Sequence, residues 1–208
     1  MPLPLDATEA AVLESDCGAH AAPKKIMPLV TLALGGARSG KSAYAERLVD
    51  AAGDTGGGLY IATAEAGDGE MTERIRRHRG RRGDRWTTVE EPLELAGALS
   101  RYSAPGRPVL VDCLTLWLSN VMAAGRDIDA EVAALTAALG ALAGPVVIVS
   151  NEVGLGLVPA TPLGRAFRDH AGRLNQAVAE VADRVIFVAA GLPLALKDAG
   201  QAPKDEVQ

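Results

Sequence analysis

The chain has 208 residues, room for one domain with tails, and 48% of them are hydrophobic, so a sizeable core can be buried. Aromatic residues are only 3%, which leaves Ala, Leu and Val to build that core, and a net charge of −5 argues against a general nucleic-acid binder, since these are ordinarily basic. Two cysteines, Cys17 and Cys113, give no disulfide framework and fit a reducing cytoplasm, and no stretch approaches the ~18 uninterrupted apolar residues of a membrane span.

Residues 1–26 are small, acidic and Pro- and Ala-containing, with no compact apolar segment after a basic start. They read as a poorly ordered extension rather than a secretory signal, and Met27 stands directly before the first strand. Residues 27–197 read as one α/β domain and 198–208 as a polar tail. Apolar, β-branched runs predict strands at 29–34, 59–63, 86–90, 108–113, 145–150 and 184–190, the last closing the sheet. Helical spacing predicts helices at 43–52, 69–81, 92–102, 127–142 and 161–183. On the last of these, Leu163, Phe167, Leu174, Val178 and Val181 form one apolar stripe. Cys113 lies in an apolar run, VLVDCLTLWL, and reads as a small buried hydrophobe. No internal repeat is present.

Continuous Val/Ile/Leu strands between helices imply a mostly parallel sheet covered on both faces. Ligands of such sheets bind beyond the carboxyl ends of the strands. The glycine loop after the first strand, Thr63, Glu90, Asp112 and the pair Asn151–Glu152 all stand at such ends, so they should converge on one crevice.

The stretch LGGARSGKSAY (34–44) fits G-x-x-x-x-G-K-[ST] through Gly35, Gly40, Lys41 and Ser42. Its glycines permit a nest of backbone N–H groups around phosphate, and the helix that follows adds the positive end of its dipole. Lys41 should reach the β- and γ-phosphates, and Ser42 should offer its hydroxyl to Mg²⁺. A chance glycine turn would have to coincide with a preceding apolar strand and a following helix. Together these features indicate a P-loop NTPase-like fold of RecA type. Asp112, ending the strand PVLVD, fits a second metal-holding acid, although an acid after a strand is commonly a helix cap or a solvated turn.

Seven arginines crowd residues 74–85, with His78 among them. On a helix, Met71, Ile75 and His78 share a face flanked by Arg74, Arg77 and Arg81. One reading is a half-buried histidine beside a solvated basic face. Another is a nucleophile kept neutral by its cationic neighbours in an anion pocket. Nucleic-acid contact, a third reading, would want stacking aromatics, and only Trp86 is near.

Several segments together resemble the bifunctional adenosylcobinamide kinase / adenosylcobinamide-phosphate guanylyltransferase family of cobalamin biosynthesis. They are GGARSGKS (35–42), YIATA (60–64), EMTERIRRHR (70–79), WTTVEEP (86–92), LVDCLTLWLSN (110–120), SNEVGLGLVP (150–159) and FRDHAGRLNQ (167–176). The resemblance implies two reactions. A nucleoside triphosphate, ATP or GTP, phosphorylates adenosylcobinamide, a corrinoid; GTP then passes GMP through a histidine to the adenosylcobinamide phosphate, releasing pyrophosphate and giving adenosylcobinamide-GDP. It also implies His78 as the guanylylated residue and Lys41 as its catalytic partner on the phosphates. Nucleotide contacts are implied for Gly35, Gly36, Ala37, Arg38, Ser39, Gly40, Lys41, Ser42, Ala62, Thr63, Ala64, Arg79, Gly80, Arg81, Arg82, Glu90 and Asp112. It implies a trimer too, and gives neither His170 nor His20 the role of the guanylylated histidine. Substrate positioning or metal support is the expectation for Asn151–Glu152. The alternatives are a simple small-molecule kinase without a covalent step, an ATP-dependent nucleic-acid-binding protein, and a nucleotide-sensing switch.

Overall fold

A computed structural model describes residues 30–52, 57–64 and 86–198. Seven strands form one sheet: β1 (Val30–Gly35), β2 (Leu59–Ala62), β3 (Thr87–Glu90), β4 (Val109–Asp112), β5 (Val146–Asn151), β6 (Arg184–Ala189) and β7 (Leu192–Lys197). Their order across the sheet is β3-β2-β4-β5-β1-β6-β7. Every pairing is parallel except that of β6 with β7. Five helices are described: α1 (Lys41–Ala52), α2 (Leu95–Tyr102), α3 (Leu114–Ala123), α4 (Ile128–Gly140) and α5 (Pro162–Val181).

Strand alternation divides the core in two. Leu59 and Ile61, Val109 and Val111, Val146 and Ile148 pack against Leu99 of α2, Trp117 and Leu118 of α3, Leu135 of α4 and Leu174 of α5. Their alternates, Tyr60 and Ala62, Leu110, Val147 and Val149, pack against Ala45 and Val49 of α1. With both faces buried, the central strands read as unbroken apolar runs, which is what made them visible in the sequence.

Two elements depart from expectation. The run after Asp112 is not a continuing apolar stretch but helix α3, and it buries Leu114, Thr115, Trp117, Leu118 and Val121. Nor does the sixth strand close the sheet: a two-residue turn, Ala190 (φ 51°) and Gly191 (φ 80°), leads back into β7 at the edge. Both central residues of that turn have positive φ, the geometry that joins tight hairpins. The stripe on α5 is also narrower than expected. Leu174 and Val178 are buried and Phe167 packs against the core, but Leu163 is 70% exposed and Val181 38%. The predicted helix at 69–81, the extension 1–26, and Cys17 and His20 within it lie outside the described residues. No helix among the described residues is long and apolar enough to cross a membrane.

Candidate active site

The glycine loop leaves β1 at Gly35 and enters α1 at Lys41. A Cβ on Gly35 would run into the Val188 carbonyl oxygen of β6, so only glycine fits there. Gly40 has φ +95°, and a Cβ on it would lie 3.1 Å from the Gly191 Cα. Arg38, at φ 57°, is a non-glycine residue in the left-handed region, as anion nests require at alternate positions. The loop is tied down on two sides. Gly191 N–H donates to the Ser39 carbonyl (2.8 Å) and Glu152 N–H to the Gly35 carbonyl (3.1 Å). The hairpin turn and the end of β5 therefore hold the loop's shape without spending its inner N–H groups.

Lys41 is 8% exposed, and its Nζ donates to the Gly36 carbonyl at 3.0 Å, folding the ammonium over the loop. The Ser39 hydroxyl is buried with no hydrogen-bond partner among the described residues. Buried polar atoms are rarely left so, and an anion in the loop would satisfy this one. Ser42 is half-buried in the first turn of α1.

Asp112, Ala62 and Glu90 align across β4, β2 and β3. Alternation puts Asp112 on the α1 face, like Leu110 two residues earlier. Asn151 follows Val149 onto the same face, on the strand between β1 and β4. Two strand spacings, about 10 Å, separate the loop's strand from that of Asp112. Asp112, Asn151 and Glu90 therefore stand at the carboxyl ends of their strands on the side that α1 covers, with the strand of Glu90 four places across the sheet from that of the loop. Asp112 Oδ2 accepts a 2.8 Å hydrogen bond from the Tyr60 hydroxyl.

Thr63 has a specific employment. Its Oγ1 donates to the Cys113 carbonyl (2.7 Å) and accepts from Cys113 N–H (2.8 Å), and its own N–H donates to the Asp112 carbonyl (3.2 Å). At 0% exposure, Thr63 latches β2 to β4 at the crevice edge, and its hydroxyl is not turned to solvent. Ala62 is buried and Ala64 half-buried beside it. Glu90 is exposed at the end of β3. His78, Arg79, Gly80, Arg81 and Arg82 lie outside the described residues.

Sequence reasoning missed the residues that brace the crevice from behind. Thr115 Oγ1 accepts from Asn151 N–H at 2.8 Å, and Asn175 Nδ2 donates to the Asn151 carbonyl at 3.3 Å. Ser150 Oγ donates to Asn175 Oδ1 at 2.7 Å. Asn120 Nδ2 reaches the carbonyls of Thr63 (2.8 Å) and Pro92 (3.2 Å). Polar residues interrupting apolar helix faces were the available signal, and Asn120 and Asn175 both lie in segments quoted above for the resemblance. His170 is half-buried on α5, with Arg173 Nη2 2.9 Å from its Nδ1.

Among the described residues no cluster of three or more His, Cys, Asp or Glu side chains could hold a metal on its own. Ser42 in the first turn of α1 and Asp112 at the end of β4 offer a hydroxyl and a carboxylate. That set fits Mg²⁺, which keeps several waters and leans on substrate phosphates.

This fold and loop define a P-loop nucleotide-binding α/β protein. An ATPase domain of G40P aligns over 84% of this chain and 78% of its own, with a TM-score of 0.50 at 14% identity, a likeness of fold alone. Residues 31–196 match the family described as cobinamide kinase / cobinamide phosphate guanyltransferase, and the chain belongs to that family of bifunctional transferases. It is 53% identical over 169 residues to the bifunctional adenosylcobalamin biosynthesis protein CobP of Pseudomonas aeruginosa strain PAO1, covering 80% of this chain and 96% of the relative. It is 39% identical over 184 residues to the bifunctional adenosylcobalamin biosynthesis protein CobU of Escherichia coli strain K12, covering 81% and 100%.

Proposed function

We propose that this chain phosphorylates adenosylcobinamide at its aminopropanol hydroxyl and then transfers GMP from GTP, through His78, to the resulting phosphate. The observation that supports the reading is the loop Gly35–Ser42 at the end of β1, with Asp112 at the end of β4 two strands away, in a chain of this family. ATP or GTP serves the first step.

In the kinase step, the loop N–H groups and the dipole of α1 hold the β-phosphate, and Lys41 neutralises charge at the γ-phosphate. The corrinoid hydroxyl oxygen attacks the γ-phosphorus and gives up its proton to water, while the bond to the bridging oxygen breaks and its electron pair leaves with the nucleoside diphosphate. In the second reaction, the lone pair of neutral His78 attacks the α-phosphorus of GTP. A P–N bond forms as the bond to the bridging oxygen breaks, and that electron pair leaves with pyrophosphate. A phosphate oxygen of the corrinoid then attacks the same phosphorus, and the P–N pair returns to the imidazole. Mg²⁺ held by Ser42 and Asp112 would offset phosphate charge when bound. The arginines around His78, with Arg79, Gly80, Arg81 and Arg82 just after it, favour the uncharged imidazole and attract the nucleotide. Ala62, Ala64 and Glu90 border the nucleotide from β2 and β3, and a trimer in the cytoplasm is the working assembly.

His78→Ala separates the two chemistries. GMP transfer and the protein-bound GMP should vanish, while phosphorylation of adenosylcobinamide persists within a few-fold. Loss of both activities in a folded variant contradicts the covalent role.

A further inference from the structure

Tyr60 is paired with Leu110 in the β2–β4 register, two residues short of Asp112, yet its hydroxyl reaches Asp112 Oδ2 at 2.8 Å. Two residues of strand rise span about 6.6 Å, roughly the length of a phenol side chain, so the ring lies along the strands toward the crevice. Trp86 meets it edge to face, with centroids 6.2 Å apart and planes at 76°. Tyr60 is 4% exposed. The backbone of Asp112 is held as well, since its carbonyl accepts from Thr63 N–H and the next residue is bonded at both N–H and C=O by Thr63 Oγ1.

A carboxylate has two oxygens and no donor. One of them, Oδ2, is taken by a fixed phenol on a fixed backbone, which decides where Oδ1 stands. We infer that Tyr60 is a positioning residue that presents Oδ1 of Asp112 to the divalent cation accompanying the bound triphosphate. This rests on the metal role given to Asp112 above. Without the hydroxyl, the ring still fills its place but the carboxylate turns freely, so the cation is held less well in the nucleotide complex. Groups that orient a metal ligand typically matter about 10- to 100-fold in metal affinity.

The test uses the full chain, Mn²⁺ as the probe and GTP present, with Mn²⁺ binding followed by paramagnetic resonance. Fluorescent-nucleotide binding in EDTA counts competent sites, so unfolded protein does not imitate the effect. Tyr60→Phe should weaken Mn²⁺ binding by roughly 10-fold. It should raise the Mg²⁺ concentration needed for half-maximal phosphorylation while leaving the rate at saturating Mg²⁺ near that of the parent. Asp112→Asn should weaken Mn²⁺ binding at least as much, and adding Tyr60→Phe to it should weaken it no further. If Asp112→Asn weakens Mn²⁺ binding and Tyr60→Phe does not, the inference falls and the metal role of Asp112 stands. If neither substitution changes it, the metal role falls and takes the inference with it.

Discussion

Cys113 is 5% exposed, directly after Asp112, and burial, followed by the neighbouring Asp112 charge, pushes its thiol from 9.0 up to about 11. The residue is an inert packing group at neutral pH, as its apolar surroundings suggested. Between pH 9 and 11 the unfolded chain releases this proton while the native chain keeps it, so native stability falls as pH rises, by roughly 2–3 kcal/mol over the window. Urea melts of the parent and Cys113→Ala across pH 8–10.5 should show the steeper decline in the parent; equal slopes would contradict the burial account. At this scale the sequence reveals positions better than partners. Thr63 and Asp112 were legible as polar residues ending apolar strands. That Thr63 spends its hydroxyl on Cys113, or that Asp112 is bonded by Tyr60, depends on which strands lie side by side, and spacing along a chain does not encode that neighbourhood.

Among elements, the junction of β1 with the phosphate loop tolerates least. Gly35→Ala would drive a methyl group into the Val188 carbonyl, a backbone atom that moves only with β6. The expected result is a loss of about 1–3 kcal/mol in stability and a large loss of nucleotide affinity, measured by thermal melting and by titration with GTP. Most strands and helices were legible because buried parallel strands are apolar throughout and the helices between them are punctuated. Asp127 caps α4 by accepting from Asp129 and Ala130 N–H, and Thr161 caps α5 with Pro162 behind it. Helix α3 was hidden because its start has no side-chain cap and its residues are apolar nearly all round, so it merges with the strand before it. β7 was hidden by Pro193, a residue that demotes a strand unless it lies at an edge, and by a turn of Ala190–Gly191 rather than an Asn-Gly pair.

Among the described residues, large apolar side chains are exposed on the edge strand, after β5 and on α5. Leu192, Leu194 and Leu196 of the edge strand are 73%, 61% and 58% exposed, and Leu155, Leu157 and Val158 stand out after β5. Patches of this kind commonly mark subunit contacts, consistent with the proposed trimer. Light scattering should find three chains per particle for the parent and fewer for Leu194→Lys; an unchanged mass would remove β7 from the interface. The proposed route has one imidazole carry GMP from GTP to the corrinoid phosphate, and that claim is tested most directly on the protein itself. After exposure to GTP and Mg²⁺ without corrinoid, quenching in alkali and digestion, mass spectrometry should find one added GMP on the peptide bearing His78, lost in acid and absent from His78→Ala. GMP on another residue, or none at all in a preparation that still makes adenosylcobinamide-GDP, would contradict it.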